Sequence, residues 1–142
     1  MRVVYTIHMS YQIYLVDDDR FLLDLYAIKF KNAGHEVTVF NNGEDLLTTL
    51  RKEGAVVPNA ILIDVIMPGM TGFETVEAMR KENMVRGTKI IFLTNQGQDS
   101  DVEKARELAA DGFITKASSI PSEVFTETMR IIEGPVQVTH PL

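Results

Sequence analysis

Short runs of four or five apolar residues alternate along this chain with longer stretches in which apolar residues recur every three or four positions. The short runs predict strands, most of them buried on both faces as in parallel sheets, and the longer stretches predict amphipathic helices. The strands are predicted at residues 12–16, 36–40, 60–63, 89–93 and 112–115. Four helices are predicted at about residues 19–33, 72–80, 100–110 and 121–132, and a further helix is predicted to begin within residues 41–44.

This alternation predicts a (βα)₅ chain of the α/β class, built from right-handed βαβ units. We expect a doubly wound, five-stranded parallel sheet in the order 2-1-3-4-5, inside a flavodoxin-like three-layer sandwich. The length of 142 residues is that of one domain. Because both ends fall outside the pattern, we expect a leader over 1–10, the domain over 11–133 and a tail or linker over 134–142.

Turn and capping signals mark the ends of several helices. Gly34 is placed to close the first helix as the residue just past its end. Asn41 and Glu44 are spaced as a capping pair for the second helix, and Ser100 and Glu103 have the same spacing at the fourth. Each pair predicts the residue at which its helix begins.

Acidic side chains follow the first and third predicted strands. Asp17 and Asp18 come after one strand and Asp64 after the other, so the predicted strand order places them across one crevice. Two carboxylates about 4 Å apart repel each other by about 4 kcal/mol at an effective dielectric constant of about 20. Mg²⁺ is the cation that such an oxygen cluster favours, with Mn²⁺ as an alternative. Taken alone, the first acidic run is also consistent with a solvated turn in which Asp19 caps the first helix.

Two further polar residues end the fourth and fifth predicted strands. Thr94 and Lys116 therefore converge with the acids on one rim of the sheet. These side chains form a coherent set for phosphoryl transfer: Asp17 and Asp18 as a metal platform, Asp64 as the central carboxylate, and a hydroxyl and an ammonium beside them. In that reaction the carboxylate of Asp64 becomes an aspartyl phosphate.

Four segments of the chain carry a family resemblance. They are Val16-Asp17-Asp18-Asp19, Asp64-Val65-Ile66-Met67-Pro68-Gly69-Met70-Thr71-Gly72-Phe73, Phe92-Leu93-Thr94 and Gly112-Phe113-Ile114-Thr115-Lys116. With them, residues 12–133 resemble the receiver domain of two-component response regulators. The resemblance implies a phosphorylation switch in a two-component phosphorelay.

The resemblance also implies a role for each site residue. Asp64 matches the phosphoacceptor, Asp18 the direct metal ligand and Asp17 the acid that binds the metal through water. The backbone carbonyl of Ile66 matches the third protein ligand. The remaining matches are Thr94 with the switch hydroxyl, Lys116 with the phosphate-pairing lysine and Phe113 with the switch aromatic, although the last is equally consistent with a core position.

The chain departs from the family pattern next to the site. Ala117 stands where the family usually has a proline after a cis peptide bond. A cis bond before another residue costs about 2.5–4 kcal/mol, so the Lys116–Ala117 bond is either trans or strained. Asn95 stands where a small residue is common, which narrows access to the site.

Partners and location follow from the same resemblance and from composition. We expect a sensor histidine kinase or a phosphotransfer protein as the donor. A downstream protein or a second copy is expected to bind the face of the fourth helix, fifth strand and fifth helix. The net charge of −6 disfavours direct nucleic-acid binding, and no apolar run reaches the roughly 18 residues that membrane insertion needs. The lack of cysteine is consistent with the cytoplasm.

We expect a signalling domain that phosphorylates and dephosphorylates itself, rather than a turnover enzyme. Two other functions compete with this interpretation. A pseudo-receiver adaptor binds its partner without phosphorylation, and the departures at Asn95 and Ala117 favour it. A turnover phosphatase of the aspartyl-phosphate type needs an acid two residues after its nucleophile, where this chain has Ile66.

Overall fold

A five-stranded parallel sheet forms the centre of the computed structural model, which describes residues 9–95 and 97–134. Its strands are β1 (Gln12–Val16), β2 (Glu36–Phe40), β3 (Ala60–Asp64), β4 (Lys89–Thr94) and β5 (Gly112–Thr115). They lie in the order β2-β1-β3-β4-β5, which confirms the predicted topology. β3 and β4 each run one residue further than predicted, because Asp64 pairs with Leu93 and Thr94 with Thr115.

Helices cover both faces of this sheet. They are α1 (Arg20–Asn32), α2 (Gly43–Leu50), α3 (Gly72–Lys81), α4 (Asp99–Glu107) and α5 (Pro121–Glu133), and a 3₁₀ turn covers Lys116–Ser118. Apolar residues of α1 and α5 pack on one face, and those of α2, α3 and α4 pack on the other. Alternate residues of β1 enter the two cores, with Leu15 on the α1 side and Val16 on the α3 side. The three-layer α/β sandwich is therefore confirmed.

The predicted start of α2 is wrong by one residue. Asn42, rather than Asn41, caps the helix, and its Oδ1 accepts the Asp45 N–H at 2.7 Å. Asn41 lies in the bend that follows β2. Glu44 has no part in a capping box; its carboxylate instead accepts the Met70 N–H.

The predicted capping box of α4 is also wrong. Gln98 is the N-cap residue and makes no side-chain capping bond, and Ser100 lies inside the helix. The helix ends at Glu107, short of the predicted residue 110. The cause is local: Ala109 has φ +57°, and the Ala110 N–H returns to the Ala105 carbonyl at 3.0 Å.

The ends of the chain fall outside this description. The predicted leader (1–10) and tail (134–142) lie outside the described residues apart from 9, 10 and 134. Within the described part, none of the helices has the length and apolar character needed to cross a membrane.

A close contact at Gly72 fixes the end of β3 against the start of α3. The Gly72 N–H donates to the Val65 carbonyl at 2.9 Å. A Cβ atom at Gly72 would lie 2.2 Å from the Asp64 carbonyl oxygen and 3.1 Å from the Val65 Cα. Both neighbours are backbone atoms, so neither can move aside cheaply.

We expect Gly72→Ala to lower the free energy of unfolding by about 1–3 kcal/mol, because the new methyl group overpacks the junction. Without this contact, alanine would be the better helix residue by about 1 kcal/mol. Urea unfolding measures the difference. A variant as stable as the wild type, or more stable, would contradict the close packing described above.

Candidate functional site

The carboxyl ends of four strands surround one pocket of about 330 Å³. The strand order explains its position, since β1 and β3 are neighbours at the point where the connections reverse direction. The residues that line it are Asp17, Asp18, Asp19, Asp64, Ile66, Thr94, Asn95 and Lys116. The structure thus brings together the residues expected to bind the metal, accept the phosphoryl group and hold its oxygens, whereas Phe113, the expected switch aromatic, lies outside this pocket.

Three of the four aspartates that line the pocket form a cluster of carboxylates. One oxygen each from Asp17, Asp18 and Asp64 lies within 4.8 Å of the other two. Asp17 and Asp64 are buried, with 1% and 4% of their surface exposed, whereas Asp18 is exposed to solvent. This all-oxygen donor set is the chemistry that Mg²⁺ prefers, so the residues present fit a magnesium ion.

Asp19 has a separate structural task. Its Oδ1 accepts the Leu22 N–H at 3.2 Å and so caps α1, as the alternative interpretation of this residue predicted. Its own backbone N–H donates to Oδ1 of Asp17 at 2.9 Å. The turn after β1 therefore holds the Asp17 carboxylate in place.

A buried lysine partly neutralises these acids. The Lys116 Nζ donates to Oδ2 of Asp17 at 2.8 Å and lies 3.4 Å from Oδ2 of Asp64. The residue is only 9% exposed. The Lys116–Ala117 peptide bond is trans, and the chain passes directly into the 3₁₀ turn. Lys116 therefore reaches the acids although Ala117 replaces the family's usual proline.

Burial and charge shift the pKa values of both partners. Burial, with the added repulsion of Asp17, raises the pKa of Asp64 from 3.8 to about 6, although Lys116 and a backbone hydrogen bond from Ile66 oppose the rise. Burial acts to lower the pKa of Lys116. The hydrogen bond and charge of Asp17, together with those of Asp64, outweigh it and leave that pKa above its ordinary value. The repulsion of Asp64 by Asp17 and the raised pKa of Lys116 are both consequences of carboxylates that outnumber the lysine.

The remaining predicted residues lie around the pocket. Thr94 is buried at the end of β4, and Asn95 is exposed beside it. Ile66 is 74% exposed and lines the pocket, and its backbone N–H donates to the Asp64 carboxylate. Phe113 does not line this pocket; it is partly buried and lines a cleft with Ala105.

Sequence reasoning missed two features that support the site. Thr71 and Glu74 form a capping box at the start of α3, and their T-x-x-E spacing is readable in the sequence. The contact of Glu44 with the Met70 N–H joins α2 to the loop after β3, and no spacing rule signals it.

Residues 13–125 match the family model of the response regulator receiver domain, which is most of the chain. The chain belongs to this family. Receiver domains are phosphorylation switches of two-component systems, and the family typically uses Mg²⁺ at an acidic pocket. The predicted family and fold are therefore confirmed.

Relatives of this receiver domain are response regulators. The DNA-binding response regulator MtrA of Mycolicibacterium paratuberculosis is 31% identical over 108 residues, which are 76% of this chain and 45% of MtrA. Overall, the chain spans about half the length of the curated relatives that it matches first.

Solved receiver domains have the same fold. The BeF₃-activated receiver domain of DrrB from Thermotoga maritima is 28% identical with a TM-score of 0.73, over 88% of this chain and 99% of that one. The chemotaxis response regulator CheY4 of Vibrio cholerae is 26% identical with a TM-score of 0.77, over 87% of this chain and 99% of that one.

We expect Asp64→Asn to stabilise the metal-free receiver domain at about pH 7.5 by about 1–3 kcal/mol, because it removes a buried charge that Asp17 repels. The pKa of Asp64 is higher in the folded than in the unfolded state. Its contribution to stability is therefore complete below about pH 4 and is lost as the pH rises to about 6.

The stability gain of the variant should accordingly grow between about pH 4 and pH 6 and level off above that range. Urea unfolding in a chelator over this pH range measures it. Asp24→Asn is a matched control on an exposed part of α1, and its stability should stay within about 0.5 kcal/mol of the wild type. A destabilised Asp64→Asn variant, or a gain independent of pH, would contradict the electrostatic account.

Proposed function

We propose that this receiver domain accepts a phosphoryl group on Asp64 from a sensor histidine kinase or a phosphotransfer protein, and that Mg²⁺ is required. One observation carries the proposal: three carboxylates whose oxygens lie within 4.8 Å share a pocket with a lysine that is itself buried. A structural ion pair needs one acid for one lysine. The surplus of acids favours a site that takes up a cation.

The hydrogen bonds support a division of work among the metal-binding groups. Both oxygens of Asp17 are engaged, one with Lys116 and one with the Asp19 N–H. We therefore assign Asp17 to the metal's water shell, and Asp18, Asp64 and the Ile66 carbonyl to direct ligation, with Mn²⁺ as an alternative ion. Bound Mg²⁺ neutralises charge that accumulates on phosphoryl oxygens.

In the proposed reaction a carboxylate oxygen of Asp64 attacks the phosphorus atom of the donor's phosphohistidine. The new O–P bond forms as the P–N bond breaks, and the donor's imidazole leaves with the electron pair. Asp64 suits this task because it ends β3, at the centre of the sheet, and the pocket opens at its side chain. The product is an aspartyl phosphate.

The added charge of about −1.5 to −2 changes the balance of the site. Lys116 and Thr94 would turn to the new phosphoryl oxygens, and Lys116 would release Asp17. We propose that this movement is transmitted through Phe113 to the face formed by α4, β5 and α5, which binds a downstream protein or a second copy.

The wider assignment is also a proposal. We place the domain at residues 11–133 and the protein in the cytoplasm, and we regard it as a signalling domain rather than a turnover enzyme. MtrA is named as a DNA-binding protein, and the chain matches 45% of it. For the receiver domain itself we propose no direct nucleic-acid contact, since the chain's net charge of −6 disfavours binding to a polyanion.

A pseudo-receiver adaptor remains the second candidate. Ala117 and Asn95 are the departures that favour it, but the contacts of Lys116 with Asp17 and Asp64 persist despite Ala117. A turnover phosphatase is disfavoured because Ile66 offers no acid at the position that would protonate a leaving group.

Intact-mass measurement after incubation with acetyl phosphate tests the proposal. The wild type is expected to gain one phosphoryl group with Mg²⁺ and none in a chelator, and Asp64→Asn should gain none, because both the nucleophile and a metal ligand are altered. Beryllofluoride binding by calorimetry serves as the control for a short-lived adduct. No adduct and no beryllofluoride binding would make the adaptor the better account.

A further inference from the structure

We propose that Glu44 is a positioning residue for the metal-binding side of the site, acting through the loop between β3 and α3. The inference rests on the proposed function, because it concerns the Mg²⁺ that Asp64 and the Ile66 carbonyl would bind. Glu44 lies on a different element, α2, and does not line the pocket. Its effect on the metal is therefore indirect.

The loop at residues 65–71 is held at both ends and in its second half. At its start, a backbone hydrogen bond from Ile66 reaches the Asp64 carboxylate. At its end, the Gly72 contact ties α3 to β3. Between these points the Met70 N–H donates to Oε1 of Glu44 at 3.1 Å. The hold on Met70 comes from α2, outside the β3–α3 unit.

Glu44 can act as a fixed support because the start of α2 has little freedom. A Cβ atom at Gly43 would lie 2.0 Å from Oγ1 of Thr75 on α3, so the two helices are in close contact. The Asn42 cap holds the Asp45 N–H and sets the first turn of α2. Glu44 follows Gly43 directly, so the backbone from which its exposed side chain reaches the loop is held in place.

The loop conformation is matched to this carboxylate. Gly69 has φ +78°, a conformation that glycine adopts without strain. A Cβ atom there would lie 3.0 Å from Oε1 of Glu44, which is tighter than an ordinary contact. Gly69 thus permits both the turn and the approach of Glu44, and it lies three residues after Ile66.

Mg²⁺ demands a near-ideal octahedral arrangement with short bonds, so a small shift of one ligand reduces affinity. Residues that orient metal ligands typically change metal affinity by about 10–100-fold when they are replaced. Because Glu44 acts through a loop, we expect a smaller loss. The Met70 N–H becomes available to water without Glu44, so the fold itself should lose little stability.

Calorimetric titration with Mg²⁺ tests this inference on Glu44→Ala and Glu44→Gln. Glu44→Ala removes the acceptor and should weaken Mg²⁺ binding by about 3–10-fold, whereas Glu44→Gln keeps an acceptor oxygen and should stay within about twofold of the wild type. Asp45→Asn is the matched charge control on the same helical turn. Melting temperatures in a chelator should be nearly equal for all four proteins.

Each outcome separates this inference from the proposed function. Weaker Mg²⁺ binding by Glu44→Ala alone, without a change in the chelator melting temperature, supports a positioning role. Equal losses in Glu44→Ala, Glu44→Gln and Asp45→Asn would show a simple charge effect and overturn it, as would unchanged affinity in Glu44→Ala. Failure of the wild type to bind Mg²⁺ would overturn the proposed metal requirement, and this inference with it.

Discussion

The buried contact of Lys116 with two aspartates is the interaction on which the site depends. A charge removed from water is tolerated only when it is paired and hydrogen-bonded, and here one ammonium group serves both Asp17 and Asp64. The contact joins residues 99 positions apart, so it forms only when β5 and β1 end at the same edge of the sheet. Charge balance and chain topology are therefore linked.

The same contact leaves the site short of positive charge. With Asp18 included, three carboxylates share a pocket into which one lysine reaches. The raised pKa of Asp64 is the electrostatic result of burial and of this crowding. A divalent cation would relieve the crowding, and a phosphoryl group would then give Lys116 a stronger partner than Asp17. We therefore propose that the switch works through this exchange of partners by Lys116.

Sequence patterns predicted the fold, and they named residues that the structure brings into one pocket, because both depend on where the strands end. Apolar runs that stop at Asp17, Asp64 and Thr94 define strands, and parallel pairing brings their carboxyl ends together. The patterns failed where neighbouring residues compete for the N-cap position of a helix. Asn42 caps α2 although Asn41 has the expected spacing, and Ser100 lies inside α4.

Contacts between elements distant in sequence were beyond pattern reasoning. The bond from Met70 to Glu44 depends on how α2 packs beside α3, which no local spacing encodes. The burial of Lys116 could not be predicted from local sequence either. Ala117 follows it in place of the usual proline, yet tertiary packing buries the Lys116 ammonium beside Asp17.

A crystal structure with Mg²⁺ and beryllofluoride would test the exchange of partners most directly. The account predicts beryllofluoride on Asp64 and a Lys116 ammonium that contacts a fluorine atom. The Lys116 Nζ–Asp17 Oδ2 distance would then lengthen from 2.8 Å to beyond hydrogen-bonding range. Beryllofluoride on Asp64 with Lys116 still bonded to Asp17, or a site that takes up neither ion, would contradict it.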